Sequence, residues 1–146
     1  MTKRSRQKYT LKVSSKTENL EVIRDFIRRL ALRGGFNEVE AGQIELAVDE
    51  ACTNAIKHAH QNNKRYRLDI TSYLDMDKIE IIITDKGSGF SVNKISEPNL
   101  VENMQKAKKG GLGIHLMRTL MDEVSFSINP GKKNQVLMVK YLRKSA

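Results

Sequence analysis

Glu45 to His60, ELAVDEACTNAIKHAH, governs how the rest of the chain is read, because it places two polar residues where neither packing nor solubility asks for them. Turning about 100° per residue from Ala51, the side chains of Ile44, Ala47, Val48, Ala51, Ala55 and Ala59 fall on one apolar stripe. That stripe is the expected core face of a helix. Glu50 and Asn54, one turn apart, lie together on its shoulder, and Asp49 points away from them. A carboxylate there can accept a proton or orient a nucleophile, and a carboxamide oxygen can ligate a hard cation without adding charge. An amphipathic helix with incidental polar residues at its boundary is the competing reading.

Upstream, Tyr9 to Val13 alternates as a strand, and Ser15 with Glu18 forms a candidate capping box for a helix running to Leu32. Leu20, Ile23, Ile27 and Leu30 make its stripe, Arg24 and Arg28 lie on a flank, and Gly34 and Gly35 end it. Asn37 is placed to cap the central helix. Downstream, a strand with Leu68, Ile70 and Leu74, a polar turn over Asp75 to Lys78, and an interior strand Ile79 to Thr84 form a hairpin. Residues 91–110 carry no core period, which marks a functional or mobile loop. Helical spacing returns in Gly111 to Glu123 through Gly113, Met117, Leu120 and Met121, followed by a strand with Val124, Phe126 and Ile128 and a last strand over Gln135 to Leu142. The order β, α, α, β, β, loop, α, β, β predicts an α+β two-layer sandwich, with helices on one face of a mixed, mostly antiparallel sheet.

At 146 residues the chain is long enough for one domain with a true core. A basic segment, 1–8, is expected to be flexible ahead of a single domain over 9–146, with a lid loop at about 91–110. The lone cysteine, Cys52, forms no intrachain disulfide and suits a reducing compartment, where it reads as a small apolar residue. No stretch is apolar for long enough to span a membrane, and no hydrophobic region follows the basic start as in a signal peptide, so a cytoplasmic location is expected. The net charge of +9 is spread over separate clusters. Aromatic residues are few and tryptophan is absent, so a solvated surface or an acidic protein partner is favoured over direct nucleic-acid binding.

Two glycine-rich segments add chemistry. In DKGSGF, Asp85 to Phe90, a carboxylate fixed at a strand end can accept from an amino group while Gly87 and Gly89 let a flat heterocycle approach the main chain. In KKGGLGIHLMRTL, Gly110, Gly111 and Gly113 open a helix whose exposed amides offer an anion site. Neither a Walker motif nor a dinucleotide fingerprint is present. His115 reads as a surface residue.

Taken in order, DEACTNAIKHA (Asp49 to Ala59), DKGSGF and GGLGIHLMRTLMDEV (Gly110 to Val124) resemble the boxes of the GHKL ATPase superfamily, whose ATP-binding fold is the Bergerat fold. Within it, the chain is similar to bacterial anti-sigma factor serine/threonine kinases of the sporulation and general-stress type. The resemblance implies ATP and Mg²⁺ as ligands. It implies Asn54 as the metal ligand, Glu50 as the carboxylate activating the attacking hydroxyl, and Asp85 as the acceptor for the adenine amino group. Gly87 and Gly89 would then shape the purine pocket, and Gly110, Gly111, Leu112 and Gly113 would surround the phosphates. Arg24 resembles a first-helix arginine facing the partner protein and the nucleotide. The partners implied are an anti-anti-sigma factor as phosphorylation substrate, a sigma factor that is sequestered, and a second copy of the chain. In place of the family's Gly-Thr pair, the last strand has Lys133, Asn134 and Gln135, to which no nucleotide role is assigned. The alternative is an ATP-gated regulatory binding protein without kinase activity. A histidine-kinase module is disfavoured, because no room precedes Tyr9 for a helical hairpin bearing a phosphorylatable histidine.

Overall fold

Alternation builds the sheet. In Lys78–Asp85 every second residue, Ile79, Ile81, Ile83 and finally Asp85, is buried on the same face, while Lys78, Glu80, Ile82 and Thr84 are only half-buried on the other. A computed structural model describes residues 5–59, 66–85, 112–129 and 132–143, and the strands in it are β1 (Gln7–Ser14), β2 (Arg67–Leu74), β3 (Lys78–Asp85), β4 (Glu123–Asn129) and β5 (Lys133–Tyr141). They form one sheet in the order β1-β2-β3-β5-β4. All four pairings are antiparallel, so among the described residues the sheet has no parallel pair, where a mixed one was expected. β3 is interior, as its apolar run implies, and β1 begins two residues before the expected Tyr9, with Gln7 opposite Leu74.

The helices α1 (Leu20–Arg33), α2 (Glu38–Thr53) and α3 (Leu112–Leu120) cover the face that buries Leu68, Ile70, Leu74, Ile79, Ile81, Ile83, Val136 and Met138. The Ser15–Glu18 capping box does not form. A short 3₁₀ turn, Thr17–Asn19, leads into α1 instead, and neither Lys16 nor Asn19 caps through its side chain. The end of α1 follows the glycine logic closely. Phe36 N–H donates to the Ala31 carbonyl and Gly35 N–H to that of Leu32, each at 3.1 Å, with Gly35 at φ 100°. This is a Schellman stop sealed by the buried Phe36. Asn37 then caps α2 in a full capping box with Glu40.

On the α1–α2 flank, Arg24 pairs with Asp49, and Arg28 with Glu38 and Glu45. Such half-exposed pairs contribute about 0–1 kcal/mol each. Burial of Ile23, Ile27 and Ile44, each completely removed from solvent, contributes about 1.5–3 kcal/mol per side chain. The apolar seam therefore holds the two helices together, and the ion pairs set their register.

After Thr53 the helix widens into a π-helical segment, Asn54–Ala59. The wider turn changes which residues face inward. Ile56, which uniform 100° steps would place about 140° from Ala51, is wholly buried.

At the other end of the molecule, Lys140 Nζ donates to the Leu120 carbonyl at 2.7 Å, satisfying the last turn of α3. The Asp122 carboxylate accepts from Tyr141 N–H at 2.8 Å and from Arg143 at 2.7 Å, tying the α3–β4 corner to the end of β5. Partial burial pushes the Asp122 carboxyl up, but the Tyr141 amide and the Arg143 guanidinium outweigh it and hold the group below its usual range.

Two stability outcomes follow. The Ser72 hydroxyl is buried on the helix-facing side of β2 with no hydrogen-bond partner among the described residues, so Ser72→Ala should raise stability by about 1 kcal/mol in urea unfolding. A carboxyl with a lowered native pKa stabilises fully above its unfolded value and loses that contribution as pH falls through the native one. Asp122→Asn should therefore cost up to about 1 kcal/mol at pH 7, and its gap to the parent should close in melts taken progressively below the ordinary value of 3.8.

Candidate functional site

The topology gathers several chain segments at one end of the sheet. β3 ends at Asp85, opposite Asn134 near the start of β5, while Lys78 at its beginning lies opposite Tyr141. The C-terminus of α3 is fastened at the Tyr141 end by Lys140, and Asp122 N–H donates to the Val139 carbonyl at 2.9 Å. The N-terminus of α3 consequently points back toward the Asp85 end. The start of α3 lies against Glu50 and Asn54, so the end of α2 is at that same end.

There α2 and α3 meet at a glycine. A Cβ placed on Gly113 would lie 2.9 Å from Glu50 Oε2 and 3.0 Å from Asn54 Nδ2. Both distances are below ordinary contact, so glycine at this position leaves the Glu50 and Asn54 side-chain ends where they lie against the start of α3, and a larger residue would displace them. Asn54 is 6% exposed, at the junction where the regular helix gives way to the π-helical segment. Such junctions often accompany functional sites. Glu50 is half-buried and, among the described residues, has no salt-bridge partner, whereas its neighbour Asp49 is engaged by Arg24 at 2.9 Å. The two adjacent carboxylates thus have different surroundings, as their helical positions predict.

Asp85, 4% exposed, accepts a 3.1 Å hydrogen bond from Nδ2 of Asn134, itself 1% exposed. The Asn134 Oδ1 accepts from Asn129 N–H at 3.0 Å, across the β4–β5 hairpin. Asn134 is the residue that sequence reasoning passed over. Its signal was available in period two, since Asn134, Val136 and Met138 share the buried face of β5, and a buried amide at a strand end requires a polar partner.

Arg24 is held on the α1–α2 flank by Asp49 and has no described bond to Glu50 or Asn54. His115 is exposed, as expected, and Cys52 is wholly buried. Burial pushes the Cys52 thiol well above its usual range, with Asp49 adding to the effect, so the residue packs as a neutral apolar group. Leu112 opens α3. Gly87, Gly89, Gly110 and Gly111, the loop 91–110, and the cationic residues Lys64, Arg65, Lys106, Lys108 and Lys109 lie outside the described residues.

Among the described residues no group of three His, Cys, Asp or Glu side chains could enclose an ion. Mg²⁺ does not need such a cage, since it commonly takes one or two protein oxygens and completes its shell with phosphates and water. Asn54, whose carboxamide lies beside the start of α3 with Nδ2 toward Gly113, carries one neutral oxygen of the kind such an ion takes.

Comparison with known proteins agrees with the fold. Residues 13–140 match the model for a histidine kinase-like ATPase domain. Among curated relatives, serine-protein kinase RsbW of Bacillus subtilis (strain 168) is 33% identical over 136 residues, covering 90% of this chain and 84% of the relative. The protein of the same name from Staphylococcus aureus is 34% identical over 140 residues, covering 92% and 86%. That from Listeria innocua is 30% identical over 139 residues, covering 92% and 87%.

The glycine contact yields a prediction that separates fold from site. In Gly113→Ala the new methyl meets the tips of two side chains that can swing aside, while alanine favours the helix by about 1 kcal/mol. The melting temperature should match or exceed the parent's, and affinity for Mg²⁺–ATP, measured by calorimetry, should fall at least about tenfold.

Proposed function

The chain belongs to the histidine kinase-like ATPase family, and from that membership we propose that it is a serine/threonine protein kinase that phosphorylates a small partner protein at the expense of ATP. The observation that carries the reading is the approach of Gly113 to Glu50 and Asn54, at the same end of the sheet as Asp85. Relatives named serine-protein kinase support the activity.

Asp85 accepts from the exocyclic amino group of adenine, and Gly87 and Gly89 border the ring. The triphosphate lies against the N-terminus of α3 at Leu112 and Gly113, where unsatisfied N–H groups and the helix dipole favour negative charge, and by the resemblance Gly110 and Gly111 join in holding it. Asn54 holds Mg²⁺, which when bound neutralises charge on the phosphate oxygens. Glu50 receives the proton of the acceptor hydroxyl. The hydroxyl oxygen bonds to the γ-phosphorus, the bond from that phosphorus to the β–γ bridging oxygen breaks, and ADP leaves. Closure of the loop 91–110 would shield this exchange from water.

The substrate proposed is an anti-anti-sigma factor, and the second partner a sigma factor held while no acceptor is available. Arg24, on the α1 flank, is placed in the partner-facing surface, where release from Asp49 would let it reach a bound protein. A homodimer in the cytoplasm completes the reading.

The test uses purified protein, Mg²⁺–ATP and the cognate acceptor. Glu50→Gln should slow transfer about 10²–10⁴-fold with nucleotide affinity nearly unchanged, and Asn54→Ala should remove the Mg²⁺ dependence of nucleotide binding. Equal phosphorylation by the Glu50 variant would take that residue out of the mechanism. ATP-dependent partner binding without any transfer by the parent protein would favour the purely regulatory alternative.

A further inference from the structure

We propose that Asn134 is a positioning residue that makes the site selective for a 6-amino purine, a role that rests on the reading of Asp85 as the purine acceptor. The strand β5 sets Asn134 directly opposite Asp85, and both side chains are almost wholly buried. Which way the amide faces is decided by its surroundings. Its oxygen accepts from Asn129 N–H at 3.0 Å, so its NH₂ is the group left to face Asp85, to which it donates at 3.1 Å. An amide donor stabilises a carboxylate as an acceptor and fixes the plane of its oxygens.

The consequence is selectivity. Asp85, held as an acceptor by that bond, attracts the 6-amino group of adenine and repels the 6-oxo group of hypoxanthine or guanine, which is itself an acceptor. Sites built to pair a particular donor discriminate through the cost of leaving buried polar groups unmatched. Because the orienting bond comes from β4, the turn end of the β4–β5 hairpin is part of the purine specificity of the site. Gln135, the next residue, bonds Thr84 at 3.2 Å and belongs to the other face of the sheet, so it takes no part.

Affinities for ATP and inosine triphosphate, measured by calorimetry on the full chain, test this without any turnover. Asn134→Ala should weaken ATP about tenfold and leave inosine triphosphate nearly unchanged. Asn134→Asp is the sharper variant, since one of its oxygens still accepts from Asn129 while the other replaces the donor by an acceptor. Two facing buried carboxyls share one proton, and a protonated one can donate to a 6-oxo group. Preference for ATP over inosine triphosphate should therefore collapse or invert in Asn134→Asp. Parallel loss of both affinities, or an unchanged ratio in either folded variant, overturns the proposal. Asp85→Ala tests the underlying reading separately. If that variant keeps the parent's ATP preference, the purine does not pair with Asp85, whatever Asn134 does.

Discussion

The approach of α3 to the end of α2 is the constraint on which the site depends. A methyl group at Gly113 would come within 3.0 Å of the ends of both the Glu50 and Asn54 side chains, so the absence of a side chain there keeps those two groups in place against the start of α3. The same absence leaves the start of α3 beside a carboxylate and a carboxamide, the groups proposed above as base and cation ligand. Packing elsewhere exists to hold this spacing. Ile114 and Met117 of α3 are buried in the same core as Ala47 and Ala51 of α2, and small residues on a helix allow a close approach that larger ones would prevent.

A second constraint acts at the end of β3. The isoleucine row Ile79, Ile81 and Ile83 continues in period into Asp85, so the strand delivers a carboxylate to the buried side of the sheet. Such a group is tolerated only with partners, because an unmatched buried charge is costly. Asn134 provides one, and Asn129 in turn fixes Asn134. The pair joins the last hairpin to the middle of the sheet, and the Lys140 and Asp122 contacts at the opposite end hold α3 in the direction that brings Gly113 back to it.

Much of this was legible in the sequence. Period-two and period-3.6 patterns marked the five strands and the three α-helices among the described residues, because each buries one face against a single core. Asn37 and the Gly34–Gly35 stop were readable from local chemistry alone. The failures have equally local causes. Ser15 and Glu18 matched a capping box, but the chain enters α1 through a 3₁₀ turn and Ser15 N–H pairs with the Tyr66 carbonyl. The widening at Asn54 leaves no trace in a pattern that assumes 100° steps, so the burial of Ile56 was not foreseen. The burial of Asn134 was readable in the period of β5, but its partner was not, because the register that sets it against Asp85 spans 49 positions of sequence.

The central claim is that segments distant along the chain form one pocket with a purine end and a metal-triphosphate end. A crystal structure of the chain with Mg²⁺ and a non-hydrolysable ATP analogue tests it most directly. The account predicts the adenine amino group within hydrogen-bonding distance of Asp85 and the ion on the Asn54 oxygen, with the phosphates at the start of α3. A nucleotide bound elsewhere, or one whose base lies away from Asp85 while its phosphates avoid Gly113, would contradict it.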